Sequence, residues 1–177
     1  MAQTQMALDS LDFDATVALA EKVAPHVDIL EIGTPCIKHN GIELLKTLRA
    51  KFPKNKILVD LKTMDAGYYE AEPFYKAGAD ICTVLGTADI GTIKGVIDVA
   101  NKYGKKAQVD LINVADKSAR TQEVAKIGAH IAEALTVHGL ASKSEARARA
   151  IDLLRAVRIT DPDKRVHDYP HQLSGGM

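Results

Sequence analysis

Short apolar runs rich in β-forming residues recur along the chain at residues 5–8, 29–32, 57–60, 81–85 and 107–111. Between them, residues 15–23, 42–52, 70–77, 93–103 and 118–127 carry apolar positions at helical spacing. Most of these helical stretches end in a breaker just before the next run, at Pro53, Gly78, Gly104 and Gly128. Strand and helix alternating at a near-constant period predict a parallel sheet with right-handed crossovers. The strands read as apolar on both faces, as strands covered by helices do.

A doubly wound sheet and a (β/α)8 TIM-type barrel both fit that order. No G-x-G-x-x-G follows the first strand, which counts against a dinucleotide-binding sheet. Charged residues stand within or just after the strands: Asp9, Glu31, Asp60, Lys62 and Asp110. In a barrel those positions point into the mouth where chemistry occurs, so the barrel is the favoured α/β architecture. The chain is short for it. Residues 1–131 hold about five βα units, and residues 132–177 are too few for three more. The expectation is a barrel truncated after about five units, followed by an α-helical tail.

The tail has its own texture. Residues 131–140 and 142–159 read as two amphipathic helices joined near Gly139, and Ser142-Lys143-Ser144-Glu145 is a capping-box pattern opening the second. Arg49 and Arg120 are the arginines of residues 1–131, which are otherwise lysine-rich. Arg147, Arg149, Arg155, Arg158 and Arg165 follow, with Lys143 and Lys164 the lysines of the tail. Two differently biased coding sequences would give this switch, and so would a surface helix that favours Arg.

Composition adds exclusions. Among 177 residues the formal net charge is zero, with 46% apolar and 26% charged residues. That balance argues against a nucleic-acid binder or a membrane-surface protein. No apolar run approaches the roughly 18 residues of a membrane helix, and MAQTQMALDS does not read as a signal peptide. Two cysteines, Cys36 and Cys82, are too few for a disulfide scaffold, so free thiols in a reducing cytoplasm are expected.

The strongest chemical cluster is Asp60-Leu61-Lys62-Thr63-Met64-Asp65, a D-x-K-x-x-D at the end of the third strand. Strand alternation places Asp60 and Lys62 on one face, with Asp65 on the loop beyond. A lysine held between carboxylates keeps its charge and can stabilise a developing enolate. Glu31 and Asp60 together offer hard oxygen ligands of the kind Mg²⁺ takes. An ion-pair network closing the barrel rim is the alternative for the same residues. Cys82, in mid-strand, reads as core. Cys36 and His39 share a loop without a partner, and His138, His167 and His171 lack metal-ligand spacing. Gly86 to Gly91 has Walker-like glycine spacing, but Thr92 and Ile93 follow where Lys and Ser/Thr are required.

Four stretches carry a resemblance: QMALDSLDF, DILEIGTPCIKHNGIELLKTLRAKFP, ILVDLKTMDAGYYEAEPFYKAGADICTVLGTADIGTIKGV and KKAQVDLINVADK. Through them residues 1–131 resemble the 3-hexulose-6-phosphate synthase family, of the orotidine-monophosphate decarboxylase-like barrel group. The resemblance implies a magnesium-dependent aldol reaction of the ribulose monophosphate pathway. In it formaldehyde adds to ribulose 5-phosphate through an enediolate, giving a 3-hexulose 6-phosphate. It implies that Glu31 and Asp60 ligate the metal, that Lys62 stabilises the enediolate and orients substrate, and that Asp9 contacts substrate hydroxyls. Asp110 would touch substrate from the fifth strand's end. Asp65 would reach into the neighbouring subunit's site across a homodimer. A sixth strand with a catalytic histidine, and seventh and eighth strands gripping phosphate, should follow residues 128–131; the sequence reading finds none of them.

The tail instead resembles the ATP-binding subunit of oligopeptide or dipeptide ABC transporters. It matches the helical subdomain up to the signature motif, ending at Leu173-Ser174-Gly175-Gly176-Met177. The chain then reads as a chimera joined near residues 127–131, with the aldol activity impaired or lost. A nonenzymatic fold, with tail helices on the sheet or dimerisation through an open edge, is the alternative, and a nucleotide-binding module is a third reading.

Overall fold

In this computed structural model residues 3–127 and 130–132 are described. Six strands run parallel: β1 (Gln5–Leu8), β2 (Ile29–Ile32), β3 (Lys56–Thr63), β4 (Ile81–Leu85), β5 (Lys106–Asp110) and β6 (His130–Ala132). Helices α1 (Phe13–Val23), α2 (Thr34–Lys51), α3 (Gly67–Lys76), α4 (Ile90–Lys102) and α5 (Lys117–Ala125) connect the first five strands and lead towards the sixth. The strands lie in the order β1-β2-β3-β4-β5-β6. A doubly wound sheet reverses its strand order partway, so the sequential order decides for the barrel type.

The five expected βα units are present, β1–α1 to β5–α5, and β6 corrects the reading that no sixth strand follows them. Its three residues pair with β5 in register, His130 opposite Gln108 and Ala132 opposite Asp110. So short a segment has too little pattern to read as a strand alone. The tail helices, the capping box at Ser142, the three tail histidines, the signature-like end and Gly128 lie outside the described residues.

The two faces of the sheet differ, which also departs from the expectation of strands apolar on both faces. Leu8, Leu30, Ile32, Ile57, Val59, Cys82, Val84, Ala107 and Val109 join one core cluster with helical residues such as Leu44, Leu48, Ile93 and Val96. Each fully buried aliphatic side chain contributes about 1.5–3 kcal/mol. The alternate positions form the inner, barrel-side face, and many are polar: Gln5, Glu31, Asp60, Thr83, Gln108 and Asp110. The period of two is therefore obeyed, with helices on one side and chemistry on the other.

Local signals set the helix starts. Asp12, Asp89 and Asp116 accept N-cap hydrogen bonds from the amides of Ala15, Thr92 and Ala119. Helix α2 begins well before the expected residue 42. It is two helical pieces broken at Gly41, where φ is 64°, and the first piece carries Thr34 and Cys36. At the opposite end of the strands Asp80 ties elements together. It pairs with Arg49, lies 2.6 Å from Lys105 Nζ and accepts from the Ile57 amide at 2.9 Å.

Candidate active site

Asp60 sits near the C-terminal end of β3 and is only 8% exposed. A buried carboxylate needs hydrogen-bond partners, and Asp60 has them. Thr83 on β4 donates to Oδ1 at 2.7 Å, and Thr34 at the start of α2 donates to Oδ2 at 2.6 Å. Lys62 Nζ stands 3.2 Å from Oδ2.

Lys62 reaches that position by an unexpected route. Regular alternation would suffice to put it beside Asp60, but the ladder between β3 and β4 shifts between Val59 and Thr63. Val59 pairs with Cys82 and Thr63 with Val84, so Asp60, Leu61 and Lys62 stand opposite Thr83 alone. Within this bulge Lys62 takes φ 49°, a left-handed conformation that non-glycine residues hold at a cost of about 1–3 kcal/mol. Its freed amide donates to Thr83 Oγ1 at 2.9 Å.

The second carboxylate on Lys62 is Asp110, not Asp65. Lys62 Nζ donates to Asp110 Oδ2 at 2.5 Å, while Asp110 Oδ1 accepts from the Ile112 amide at 2.8 Å. Desolvation by itself would lower the Lys62 ammonium. The Asp110 hydrogen bond and the charges of Asp60 and Asp110 outweigh it and hold the ammonium above its ordinary range. Asp65 lies exposed on the β3–α3 loop and makes no ion pair or side-chain hydrogen bond among the described residues. Lys62 is therefore held between Asp60 of its own motif and Asp110 of β5.

Asp9 and Glu31 complete the inner rim. Asp9 Oδ1 rests against Gly33, where an added Cβ would fall 1.8 Å away, and the Gly33 amide donates to the Leu8 carbonyl at 3.1 Å. Glycine at position 33 is thus what lets the Asp9 carboxylate lie over the end of β2. Glu31 Oε2 accepts from Gln5 Nε2 at 2.6 Å. Burial, then repulsion from Asp60, raises the Asp9 carboxyl against an opposing pull from Lys62. Glu31 is raised by burial against the Gln5 hydrogen bond, with Asp60 and Asp9 adding to the rise. Asp9, Glu31 and Asp60 therefore feel one another, with Lys62 as the cation of the group.

That excess of negative charge over hard oxygen donors suits a divalent cation. No preassembled group of three ligating side chains exists among the described residues. Mg²⁺ is commonly held by one or two carboxylates and keeps its waters, so Glu31 and Asp60 fit it on donor chemistry.

Thr34, Thr83, Gln5 and Gly33 were not singled out by the sequence reading. Cys36 and Cys82 are buried free thiols, and burial pushes both upward. His39 is exposed, and the Gly86 segment forms the β4–α4 loop, held by Arg120 on Gly86 and Ala88 carbonyls. A separate cleft of about 630 Å³ opens at the other end of the strands beside Pro25, Phe52 and Lys54. Many of its polar groups satisfy one another, as in Lys51–Glu21 at 2.7 Å and Lys56–Gln3 at 3.2 Å. It carries none of the clustered chemistry.

A parallel sheet in sequential order, with its charged groups gathered at the C-terminal strand ends, defines a (β/α)-barrel protein with its site at the barrel mouth. The chain belongs to the orotidine 5'-phosphate decarboxylase / HUMPS family, whose profile matches residues 2–168. It is 89% identical over 131 residues to the 3-hexulose-6-phosphate synthase of Methylomonas aminofaciens, covering 74% of this chain and 63% of that protein. The 3-hexulose-6-phosphate synthase of Mycobacterium gastri is 45% identical over 129 residues, covering 73% of this chain and 62% of that protein. A crystal structure of 3-hexulose-6-phosphate synthase superposes with a TM-score of 0.71 at 38% identity, over 86% of this chain and 76% of that one. The chain thus spans less than two thirds of the length of these two curated relatives. No described helix is long and apolar enough to cross a membrane.

Proposed function

We propose that the barrel mouth is a site of 3-hexulose-6-phosphate synthase type, joining formaldehyde to ribulose 5-phosphate. The carrying observation is the Lys62 ammonium held between Asp60 and Asp110, beside Asp9 and Glu31. In the reaction a proton passes from C1 of the ketose phosphate to a carboxylate of the cluster, C1 bonds to the formaldehyde carbon as the C=O π pair moves onto oxygen, and that oxygen takes up the proton. The intermediate enediolate carries negative charge on oxygen, and a fixed ammonium stabilises it. Removing one such preorganised donor costs about 2.7–4 kcal/mol of transition-state stabilisation in comparable sites. Asp110 and Asp60 fix where that charge sits, and Asp9, over Gly33, accepts from substrate hydroxyls. Glu31 and Asp60 would hold Mg²⁺, which when bound supplies Lewis-acid polarisation of substrate oxygens.

Turnover by these 177 residues is proposed to be far below that of a closed barrel. The reading is supported by length: the chain covers 63% and 62% of the two curated relatives, and phosphate sites of such barrels are commonly built after strands seven and eight. A homodimer is proposed with Asp65 serving the partner's site; Leu11, Met64, Ile112 and Tyr69, the last 82% exposed, leave an apolar rim at the same end. A cytoplasmic setting accords with the two free thiols. The alternative origin of residues 132–177, as part of an ABC transporter ATP-binding subunit, rests on their signature-like end and on the 131-residue extent of the 89% match. The family profile, running to residue 168, weighs against it.

The test is a formaldehyde-dependent assay of ribulose 5-phosphate consumption with Mg²⁺. Slow product formation lost in Lys62→Ala is expected. Turnover indifferent to Lys62→Ala would refute the site, and rapid turnover would refute the impairment.

A further inference from the structure

We propose that Thr83 is the positioning residue of this site, one hydroxyl fixing both the carboxylate of Asp60 and the backbone of Lys62. The inference rests on the aldol reading for its catalytic consequence, and on geometry alone for its structural one.

Thr83 is 2% exposed, in the middle of β4, and its side chain lies on the barrel-side face. It stands alone opposite the three residues Asp60, Leu61 and Lys62. The bulge removes the Lys62 amide from the ladder, and a buried amide without an acceptor is costly. Thr83 Oγ1 accepts that amide at 2.9 Å and spends its own proton on Asp60 Oδ1 at 2.7 Å. A hydroxyl can do both at once, accepting from an N–H and donating to a carboxylate. Valine has the same shape and can do neither, and a carboxylate cannot donate.

Two consequences follow for the chemistry. Donation to Oδ1 orients the Asp60 carboxylate so that Oδ2 faces Thr34 and Lys62. Acceptance from the Lys62 amide stabilises the left-handed backbone that directs the ammonium towards Asp110. The neighbouring Thr63 hydroxyl, buried in the same bulge, finds no partner among the described residues. Burial in this bulge therefore does not by itself supply hydroxyl partners. Those of Thr83 are specific, and both belong to the site.

The test compares Thr83→Val and Thr83→Ser with the parent chain by two readouts. One is amide hydrogen exchange at Lys62. The other is the rate at which the C1 proton of ribulose 5-phosphate exchanges with D₂O. In Thr83→Val the Lys62 amide is expected to exchange about tenfold faster or more, and C1 exchange to slow about tenfold. Thr83→Ser, which keeps the hydroxyl, is expected to restore both to within about threefold of the parent. Thr83→Ala is read in the same way if the valine variant does not fold. Parent-like Lys62 protection in the hydroxyl-free variant, or serine behaving like valine, overturns the proposal. Absence of C1 exchange in the parent would count against the aldol reading, while Lys62 protection still decides the role of Thr83.

Discussion

Lys62 on β3 and Asp110 on β5 form a 2.5 Å ion pair across the intervening strand β4. The two residues lie 48 positions apart, and the pair is shorter than the 3.2 Å contact of Lys62 with Asp60 two residues away. The fold therefore adds a second carboxylate to the one the local motif supplies, and the two together hold the lysine charged. Asp110→Asn removes the closest carboxylate charge and is expected to lower the Lys62 ammonium pKa. Because that pKa is raised in the folded state, its stabilising contribution is full below the ordinary lysine range and lost as pH rises through the folded value. In Asp110→Asn that alkaline loss should be smaller and should be complete at lower pH, because the folded value moves down towards the unfolded one, and the aldol rate should fall about tenfold or more. Nitrogen-detected lysine titration and steady-state rates check the two parts.

Asp9 and Glu31 are expected to oppose stability at neutral pH. Both carboxyls are raised, so folding binds protons, and stability declines as pH rises from the unfolded carboxylate range through the folded values. Asp9→Asn and Glu31→Gln should therefore raise the thermal midpoint at pH 7 and confer no gain near pH 3, measured by thermal unfolding across pH. Both should lose activity.

Mg²⁺ relief of that repulsion gives a separate expectation. Millimolar Mg²⁺ should raise the thermal midpoint of the parent and leave Glu31→Gln nearly unmoved, because only the parent keeps the ligand. Equal shifts in the two proteins would argue against Glu31 as a ligand.

Gly33→Ala separates substrate contact from stability. The new Cβ would collide with the far end of the Asp9 side chain, which can swing away, and would stand only 3.3 Å from the Leu8 carbonyl. The expected stability loss is below about 1.5 kcal/mol by denaturant titration. The KM for ribulose 5-phosphate should rise about tenfold, since Asp9 no longer lies over β2.

Asp80→Asn tests the far end of the strands. Desolvation alone would raise this carboxyl, but Lys105, the Ile57 amide and Arg49 hold it below the ordinary carboxylate range. Its contribution is present above that range and lost as pH falls through the folded value. The variant should lose about 2 kcal/mol at pH 7, and the deficit should shrink as pH falls below the ordinary carboxylate range. Urea titration at pH 7 and across the acid range measures it.

Much of this was legible in the sequence, for stateable reasons. Asp60, Lys62 and Asp110 stand out because charges at the ends of apolar runs violate strand patterning unless a barrel mouth receives them. Thr83 and Thr34 did not, because threonine in a strand or before Pro35 reads as an ordinary β-former or turn residue. The bulge at Lys62 was hidden because plain alternation predicts the same neighbours. Asp65 lies exposed on the β3–α3 loop, where its place beyond the strand put it. β6 was missed because His130–Ala132 is too short to show a period.

On the proposed function, the charged cluster at the ends of β1, β2, β3 and β5 takes the C1 proton of a ketose phosphate and stabilises the enediolate left behind. Proton NMR of ribulose 5-phosphate in D₂O, without formaldehyde, reads that half-reaction even where turnover is slow. Mg²⁺-dependent loss of one C1 proton signal is expected with the parent chain and is abolished in Lys62→Ala. No exchange by the parent, or equal exchange by Lys62→Ala, would contradict it.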